Sequence, residues 1–266
     1  MADIDRAFGR RAFGDDPANY DRSRPAYPDW VFDTLCERCG LKPGAAVFEV
    51  GAGTGTATRE LTGRGAWPLV AVEPDVRLAA YLRRNSGFQV QVLEQPFEEA
   101  SFPRADFDLG VCATAFHWLD EQRALARVAS LLRPGGWWAM VWNVFGDPER
   151  TDAFHEATFD LLNDGPRSIS HGGPGGIPFA LNVNDRRSAF GRRPEFVELA
   201  VQKDAWELVL DPDQVVALYS TYSDMTARPV EEQRAVLAEL RRIAAEEFDG
   251  RVVRNMVTIL YTARRR

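Results

Sequence analysis

A glycine-rich turn between an apolar run and a helix-compatible segment constrains this chain more than any other feature. Residues 45–50 are apolar apart from Glu49, residues 51–55 read Gly-Ala-Gly-Thr-Gly, and residues 56–62 are compatible with a helix. Glycine lets a backbone turn sharply and approach a ligand closely. The order of strand, glycine turn and helix therefore predicts the first unit of an α/β fold, with a ligand at the turn.

Apolar segments and helix-compatible segments continue to alternate after this turn. The sequence predicts further strands at 68–72, 90–93, 107–112 and 137–142, helices at 75–85 and 120–132, and a helix-ending turn at 133–136. Such alternation is typical of parallel β-α-β units. We therefore predict an α/β fold with a doubly wound, mostly parallel seven-stranded sheet and helices on both faces.

The sequence also predicts a helix at 30–39, before the glycine turn. The alternation loosens after residue 142. Here the sequence predicts helices at 152–162 and 230–248, a glycine- and proline-rich excursion at 165–178, strands at 196–210 and 255–263, and a helix that Asp211 caps before Pro212. A length of 266 residues fits one large α/β domain. We predict a single domain over 1–266, with a helical N-terminal arm at 1–44, a ligand-binding core at 45–143, and a helical insertion with the last strands at 144–266.

Composition excludes several classes of protein. The net charge of -7 does not suit a protein that grips nucleic-acid phosphates. No apolar run approaches the ~20 residues of a membrane span, and three cysteines do not make a disulfide framework. His155 and His171 lack the spacing of metal ligands. We expect a cytoplasmic protein without metal, nucleic acid or membrane as a partner.

Two acidic residues indicate what kind of ligand the turn would bind. Glu49 precedes the glycines, where a carboxylate suits a cation better than a pyrophosphate, and Glu73 ends the second strand, where acids pair with ribose hydroxyls. A dinucleotide fingerprint starting at Gly51 would need a third glycine at Thr56. The pattern therefore favours a ligand with a ribose and a positive group, which S-adenosylmethionine carries, over a nicotinamide dinucleotide.

The motifs together resemble class I S-adenosylmethionine-dependent methyltransferases over roughly residues 40–143. The motifs that carry this resemblance stand at 49–55, 73–75, 107–109 and 132–136. Outside that core, further motifs resemble the small-molecule branch that includes trans-aconitate-type methyltransferases. They are Phe13-Gly14, Tyr20, and the runs 24–28, 115–118 and 219–223.

The resemblance implies S-adenosylmethionine as cofactor and gives roles to individual residues. Glu49 would face its methionine end, Glu73 the ribose hydroxyls, and Thr114 the methyl group to be transferred. The family's aspartate after the third strand has only a loose equivalent, so Phe97 and Glu98 are the candidates for the adenine edge. The full set of predicted cofactor-binding residues is Glu49, Gly51, Gly53, Gly55, Glu73, Pro74, Phe97, Glu98 and Thr114.

The resemblance also implies transfer of a methyl group to an oxygen, nitrogen or carboxylate of a small-molecule acceptor. His117 would act as a general base, would orient the acceptor, or would only pack. The N-terminal arm would form a lid over the cofactor or pack statically. The predicted substrate-binding residues are Tyr20, Arg24, Tyr27, His117, Trp118, Trp142, Asn143 and Tyr222. The alternatives are a non-catalytic protein that binds S-adenosylmethionine and, on a different cofactor, a nicotinamide-dependent oxidoreductase.

Overall fold

The computed structural model describes residues 4–171 and 176–266. The strands in these ranges are β1 (Val47–Val50), β2 (Leu69–Val72), β3 (Val90–Leu93), β4 (Phe107–Ala113), β5 (Leu132–Phe145), β6 (Phe196–Leu210) and β7 (Val252–Arg265). They form one mixed seven-stranded sheet in the order β3-β2-β1-β4-β5-β7-β6, with helices on both sides. The predicted fold class is therefore confirmed.

Helices connect most of these strands and build the N-terminal arm. The α-helices are α1 (Arg6–Gly9), α2 (Pro17–Ser23), α3 (Asp29–Cys39), α4 (Thr56–Gly63), α5 (Val76–Asn85), α6 (Glu121–Leu131), α7 (Ala153–Asn163), α8 (Val183–Gly191), α9 (Pro212–Tyr219), α10 (Ser223–Thr226) and α11 (Val230–Glu246). Two short 3-10 helices lie at Phe116–Trp118 and Ile169–His171. Among the described residues, no helix has both the length and the apolar character that crossing a membrane requires.

The register of the central strands determines where their ends meet. β1 pairs in parallel with both β2 and β4, so that Val50 is level with Val72 on one side and with Cys112 on the other. The carboxyl ends of parallel strands lie at the same edge of the sheet, which is where open α/β sheets bind ligands. The residues that follow β1, β2 and β4 at this edge are Gly51, Glu73 and Thr114.

Helix α9 begins as the sequence predicts. The Asp211 carboxylate accepts the N–H of Gln214 at 2.8 Å, and the Gln214 side chain accepts the N–H of Asp211 at 2.9 Å. Pro212 occupies the first turn, where its missing N–H has no helical partner to lose. This capping box satisfies two of the donors that a helix start leaves open.

The start of β5 differs from the sequence prediction. The turn predicted at 133–136 is instead the first part of the strand, because Leu132 already pairs with Phe107. The register shifts between Phe107 and Leu109, and Gly136 lies so close to the neighbouring carbonyls that a Cβ would stand 2.9 Å from the oxygen of Arg133 and 3.0 Å from that of Phe107. The glycines therefore allow an irregular strand start instead of ending the pairing.

Helix α8 is missing from the sequence prediction. The segment 183–191 forms α8, which buries Arg186, Ala189 and Phe190. A buried arginine breaks the apolar periodicity by which a helix is found in a sequence. The N-terminal arm was expected to be helical, and α1 and α2 are its helices. Residues 172–175 of the predicted excursion at 165–178 lie outside the described residues.

The chain divides into two compact units. Unit 1 comprises 1–25, 143–179 and 204–258, and unit 2 comprises 26–142, 180–203 and 259–266. β5, β6 and β7 each contribute residues to both units. The prediction of a single domain with an arm at 1–44, a core at 45–143 and an insertion at 144–266 stays a prediction.

Each unit has its own apolar core. In unit 2, residues of α3, α4 and the central strands bury one another, with Phe32, Leu61 and Leu109 fully enclosed. In unit 1, α7, α9 and α11 pack around Phe154, Tyr219 and the other residues of a second cluster. Burying a large apolar side chain contributes about 1.5–3 kcal/mol, so each cluster stabilises its own unit.

A buried ion pair ties distant segments of unit 1 together. The Nε of Arg254 in β7 donates to both oxygens of Asp152 at 3.0 Å, and both side chains are about 5% exposed. The same carboxylate accepts the N–H of His155 at 2.7 Å, which caps α7, and the N–H of Asn255 at 2.9 Å. Arg254 also donates to the hydroxyl of Tyr219. The hydrogen bonds around both charges offset much of the cost of burying them.

Candidate functional site

The glycine turn at the end of β1 forms the base of the candidate site in unit 2. The N–H of Gly51 donates to the carbonyl of Val72 at 2.9 Å, which ties the turn to β2. Gly51 has a φ of 68° and Gly53 a φ of 58°, values that favour glycine. A Cβ on Gly51 would lie 2.4 Å from the Ala115 side chain, whereas a Cβ on Gly53 would meet nothing within 4 Å. Gly53 therefore borders open space that a ligand can fill.

Gly55 has a different environment. It precedes α4, and a Cβ there would lie 2.6 Å from the side chain of Leu82. The residue is also buried. Its small size is thus explained by packing against α5. The structure brings the three predicted glycines together in one turn, but only Gly51 and Gly53 are half-exposed there.

Glu49 is buried at the end of β1 with one oxygen satisfied and the other not. The Thr58 hydroxyl donates to its Oε2 at 2.5 Å, while its Oε1 has no hydrogen-bond partner among the described residues. Burial raises the pKa of Glu49 to about 8, opposed by the Thr58 hydrogen bond. A buried carboxyl oxygen without a partner is costly, and a cationic donor from a ligand would satisfy it.

Glu73 is held in place by two backbone groups. The N–H of Gly53 donates to its Oε2 at 2.8 Å, and the N–H of Asp75 donates to its Oε1 at 2.9 Å. Burial raises the pKa of Glu73 to about 7, although both N–H groups oppose this shift. Each carboxylate oxygen has two lone pairs, so both can accept a further hydrogen bond. The carboxyl is therefore oriented for a ligand that brings its own donors.

Asp75 supports this arrangement from the position that caps the start of α5. Its carboxylate accepts the backbone N–H of Arg77 at 2.8 Å and pairs with the Arg77 guanidinium at 2.7 Å. These contacts hold the pKa of Asp75 below its usual value against the opposing effect of burial. The Glu73-Pro74-Asp75 motif thus keeps a fixed shape, with Pro74 half-buried between the two acids.

These residues fit the S-adenosylmethionine that the sequence predicts. Its ammonium and sulfonium groups are cations and suit the unpartnered oxygen of Glu49, and its ribose hydroxyls are donors and suit Glu73. The hydroxyl of Thr54 is likewise buried without a partner among the described residues. Gly53, which borders this open space, is also the residue whose N–H donates to Glu73.

The two predicted adenine contacts differ in their surroundings. Phe97 is 2% exposed, and its ring packs 6.4 Å from that of Phe48 and 6.1 Å from that of Phe102. The Arg127 guanidinium lies over the Phe97 ring at 5.5 Å. The structure thus explains Phe97 as an aromatic core residue, and its contact with adenine stays a prediction. Glu98 is half-buried and also stays a prediction.

Thr114 has an unusual backbone at the end of β4. Its φ is 54°, a left-handed value that a β-branched residue rarely adopts. Its N–H donates to the carbonyl of Val141 at 2.8 Å, and its hydroxyl lies 2.7 Å from that of Tyr27. Strained residues of this kind persist where surrounding contacts fix them, and they cluster at functional sites. The structure therefore brings the predicted residues Tyr27 and Thr114 together.

Three predicted substrate-binding residues of unit 2 form an aromatic group beside the end of β4. His117, Trp118 and Trp142 are all buried. The indole N–H of Trp142 donates to the Nδ1 of His117 at 3.2 Å, and the rings of His117 and Trp118 lie 4.9 Å apart. Trp142 also packs edge-on against Tyr261 at 6.1 Å. The position of the His117 ring is thus fixed by its neighbours.

The remaining predicted substrate-binding residues belong to unit 1. The guanidinium of Arg24 lies over the rings of Tyr20, at 5.0 Å, and of Tyr222, at 4.8 Å. Phe145 contributes a third ring at 5.2 Å. Arg24 also donates to the hydroxyl of Thr221 at 2.9 Å and to its carbonyl at 2.7 Å. Tyr20, Arg24 and Tyr222 therefore form one cluster.

Tyr222 and Asn143 have contrasting polar environments within unit 1. The Tyr222 hydroxyl is buried without a partner among the described residues, and burial raises the pKa of this tyrosine well above its usual range. Asn143 is satisfied on both sides: its amide donates to the carbonyl of Pro25 at 3.2 Å, and its oxygen accepts from the Thr258 hydroxyl at 2.7 Å. Asn143 thus has an observed structural role, and its contact with substrate stays a prediction.

Three residues of these clusters are absent from the site residues that the sequence predicts. Thr54 and Thr58 belong to the glycine turn and the helix after it, and Phe145 ends β5. For Thr58 a signal exists, since a residue in the first turn of α4 can face back toward the strand end. For Phe145 no local signal exists, because its partner Arg24 is remote in sequence. In the described ranges, no group of His, Cys, Asp and Glu side chains could hold a metal ion.

Sequence comparisons find that the chain is similar to methyltransferases. Residues 47–136 match the protein family described as methyltransferase domain. An uncharacterized methyltransferase of Schizosaccharomyces pombe is 24% identical over 261 residues, which cover 95% of this chain and 96% of that protein. An uncharacterized methyltransferase of Mycobacterium tuberculosis is 38% identical over 134 residues, which cover 50% of this chain and 52% of that protein. The match thus spans about half the length of this second relative.

Solved structures share the fold over nearly the whole chain. A candidate type II methyltransferase from Anaeromyxobacter dehalogenans has a TM-score of 0.62 and 25% identity, covering 91% of this chain and 97% of its own. An S-adenosylmethionine-dependent methyltransferase from Thiobacillus denitrificans, in complex with S-adenosylhomocysteine, has a TM-score of 0.55 and 18% identity. The match covers 99% of this chain and 100% of that protein. The 4+2 cyclase SpnF has a TM-score of 0.56 and 16% identity, and the match covers 100% of this chain and 98% of that protein. Together the comparisons show that the chain is similar to methyltransferases and shares its fold with S-adenosylmethionine-dependent enzymes among them.

Proposed function

We propose that this protein transfers the methyl group of S-adenosylmethionine to a small-molecule acceptor, as in the branch of methyltransferases that includes the trans-aconitate type. The observation that carries the proposal is the pair of buried acids at the ends of β1 and β2. Glu49 keeps one oxygen without a partner, and Glu73 is oriented by two backbone N–H groups. A cation and a ribose are what such a pair can bind.

Each residue of the turn has a defined part in this proposal. Glu49 would hold the cationic end of the cofactor, and Glu73 would accept hydrogen bonds from the ribose hydroxyls. Gly51 and Gly53 keep the backbone close to the ligand, and Pro74 lies beside the adenine. When bound, S-adenosylmethionine supplies a methyl group on a sulfonium, from which a neutral thioether departs as an excellent leaving group.

Catalysis by this chain would then consist mainly of alignment. Thr114 and His117 follow β4 at the edge of the sheet where ligands bind in such folds. Holding two reactants in a fixed geometry can lower a barrier by about 7–11 kcal/mol. The buried side chains of His117, Trp118 and Trp142 would exclude water from the acceptor.

Cofactor binding is tested by calorimetry with S-adenosylhomocysteine. The variant Glu73→Ala loses the acceptor of the ribose hydroxyls, so binding should weaken by about 1.5–3 kcal/mol, the range for hydrogen bonds to a charged group. Asp108→Ala is the control, because Asp108 pairs with Arg133 at the other end of β4. Equal affinity in folded Glu73→Ala and in the native protein would contradict the ribose assignment. Heat from titration with NAD would favour the oxidoreductase.

A second candidate function follows from the fold comparison. The 4+2 cyclase SpnF shares this fold, so the fold alone does not determine the reaction. A protein that binds S-adenosylmethionine without transferring its methyl group is therefore the alternative. Incubation with cofactor carrying a labelled methyl group, across panels of carboxylates, amines and phenols, separates the two. Label in any product supports methyl transfer, and tight binding without a labelled product across the panels supports the alternative.

A further inference from the structure

The hydrogen bond between Trp142 and His117 determines the protonation pattern of the imidazole. The indole nitrogen of tryptophan is a donor only, because its lone pair belongs to the aromatic system. Its partner in this contact is the Nδ1 of His117, at 3.2 Å. Nδ1 must therefore present a lone pair. In the neutral ring the single proton then lies on Nε2.

The surroundings keep the ring in this orientation. His117 is 5% exposed and Trp142 is 3% exposed. Trp118 packs against the His117 ring at 4.9 Å, and Tyr261 packs edge-on against Trp142. A proton added to Nδ1 would bring two donors face to face and leave a buried N–H without an acceptor, which disfavours protonation of that nitrogen.

We propose that Trp142 fixes His117 as the Nε2–H tautomer, so that His117 gives the methyl acceptor a hydrogen-bond donor instead of a base. The part of this inference that concerns the acceptor rests on the proposed function, and the tautomer does not. The nitrogen that could accept a proton is occupied by Trp142. The nitrogen that remains carries a proton and can only donate.

This assignment restricts the class of acceptor. A neutral alcohol must lose a proton during methylation, and His117 cannot take it. An acceptor whose nucleophilic atom already has a free lone pair at neutral pH needs no base. The donor from His117 would then orient such an acceptor, for example an ionised oxygen, in line with the methyl group. Removing one well-placed donor typically slows a reaction by about 10²–10³-fold.

The tautomer is measured directly by NMR on protein with 15N-labelled histidine at pH 8. The chain has three histidines, and His117→Gln identifies the signals of His117. We expect a protonated Nε2 and an unprotonated Nδ1 for His117, while His155 and His171 serve as internal references. In Trp142→Phe, which keeps an aromatic ring but no N–H, the His117 signals should move toward a mixture of tautomers. A protonated Nδ1 in the native protein, or unchanged signals in Trp142→Phe, would overturn the assignment.

The role toward the acceptor is tested with two amide variants. In His117→Gln an amide N–H stands near the position of Nε2, so the donor is kept. In His117→Asn the amide stands near the position of Nδ1, so only the contact with Trp142 can be kept. We expect transfer rates within about 10-fold of the native protein for His117→Gln and a loss of about 10²-fold for His117→Asn. Equal and large losses in both variants would point to a base and overturn the donor role, as would full activity in both.

The two experiments fail independently. The NMR measurement needs neither cofactor nor acceptor, so it decides the tautomer even if the protein transfers no methyl group. If S-adenosylhomocysteine fails to bind, the proposed function falls and the role of His117 toward the acceptor falls with it. Should cofactor binding hold while the amide variants behave alike, only the donor role is lost.

Discussion

The hydroxyl of Tyr27 and the hydroxyl of Thr114 lie 2.7 Å apart and share a hydrogen bond. Tyr27 lies just before α3, and Thr114 follows β4 with a left-handed φ of 54°. A backbone of this kind costs about 1–3 kcal/mol and needs support from its surroundings. The contact from Tyr27, together with the N–H bond from Thr114 to Val141, supplies that support. The strand end beside the candidate cofactor site is therefore held in a conformation it would not adopt alone.

A double-mutant cycle on this pair should measure the coupling. We expect Tyr27→Phe and Thr114→Ala each to lower the free energy of unfolding, and the double variant to lower it by less than their sum. The difference should be about 0.5–1.5 kcal/mol, the net value of one hydrogen bond. Urea unfolding measures all four proteins. Strict additivity would mean that the two hydroxyls do not stabilise each other.

Gly53→Ala should impair cofactor binding more than folding. The new methyl group enters open space, and the left-handed backbone adds a strain of about 1–2 kcal/mol. The cofactor would then meet a side chain at its binding surface. We expect affinity for S-adenosylhomocysteine to fall at least 10-fold in a protein that still folds. Gly63→Ala is the matched control. Gly63 ends α4, a Cβ there would also meet nothing within 4 Å, and its φ is not positive. Equal affinity in the two variants would remove Gly53 from the site.

The stability of the ligand-free protein should fall between about pH 4.5 and 8. Burial raises the pKa of Glu49 from 4.5 to about 8 and that of Glu73 from 4.5 to about 7, so the folded state holds these protons more tightly than the unfolded state. The stabilisation is fully present below pH 4.5 and is lost as the pH rises through the folded-state values. The slope should approach 1.4 kcal/mol per pH unit for each group. Denaturant unfolding at a series of pH values measures it.

The variant Glu49→Gln tests this origin. It keeps an acceptor for Thr58 but cannot ionise, so the fall in stability with pH should become shallower. Binding of a cationic cofactor favours the ionised acids, so affinity in the native protein should rise with pH from 6 to 8, with release of protons. Calorimetry in two buffers of different ionisation enthalpy counts those protons. An unchanged pH profile in Glu49→Gln would show that other groups cause the slope.

Two tyrosines three positions apart should respond in opposite ways to loss of the hydroxyl. In Tyr222→Phe a buried hydroxyl without a partner disappears, so stability should rise by about 1–3 kcal/mol. In Tyr219→Phe the hydroxyl that receives the Arg254 hydrogen bond disappears, so stability should fall. If Tyr222 contacts the acceptor, Tyr222→Phe should also raise the KM for that acceptor. A destabilised Tyr222→Phe would mean that its hydroxyl has a partner in solution.

Two arginines illustrate how burial governs the value of an ion pair. Arg254→Met breaks the buried pair with Asp152 and should cost about 3–5 kcal/mol, because a buried carboxylate loses its partner. Arg242→Met removes contacts with three exposed carboxylates on and just after α11, so the variant should unfold at nearly the native temperature. Thermal unfolding of both variants gives the comparison. Similar losses would show that the Asp152 site admits water.

The parts of the site that depend on local sequence could be predicted. The glycine turn and the acids before and after it lie within about 25 residues, and parallel strand register brings Gly51 and Glu73 to one edge. The strand at 90–93 was predicted with the bounds that the structure has, because three of its four residues are apolar and two of those are β-branched valines. Local pattern and register thus determine the fold class and the edge of the sheet at which the candidate site lies.

The parts that depend on distant contacts could not be predicted. The pairing of His117 in a short 3-10 helix with Trp142 in β5 joins residues 25 positions apart, and it selects one tautomer of the ring. The core role of Phe97 depends on rings at positions 48 and 102. At 133–136 a turn signal was overridden, because pairing of Leu132 with Phe107 outweighs the local preference of proline and glycine. Tertiary contacts decide such positions.

The position of β7 in the sheet has a consequence for how the chain folds during synthesis. Of the seven strands of this sheet, β7 is translated last, yet it lies between β5 and β6 and supplies residues to both units. Until it emerges, β6 has no neighbour on that side, and Asp152 lacks Arg254. Nascent chains usually fold from the N-terminus as units are completed. Here neither unit is complete before β7 is made, so the folding of both units is completed only after that strand has been translated.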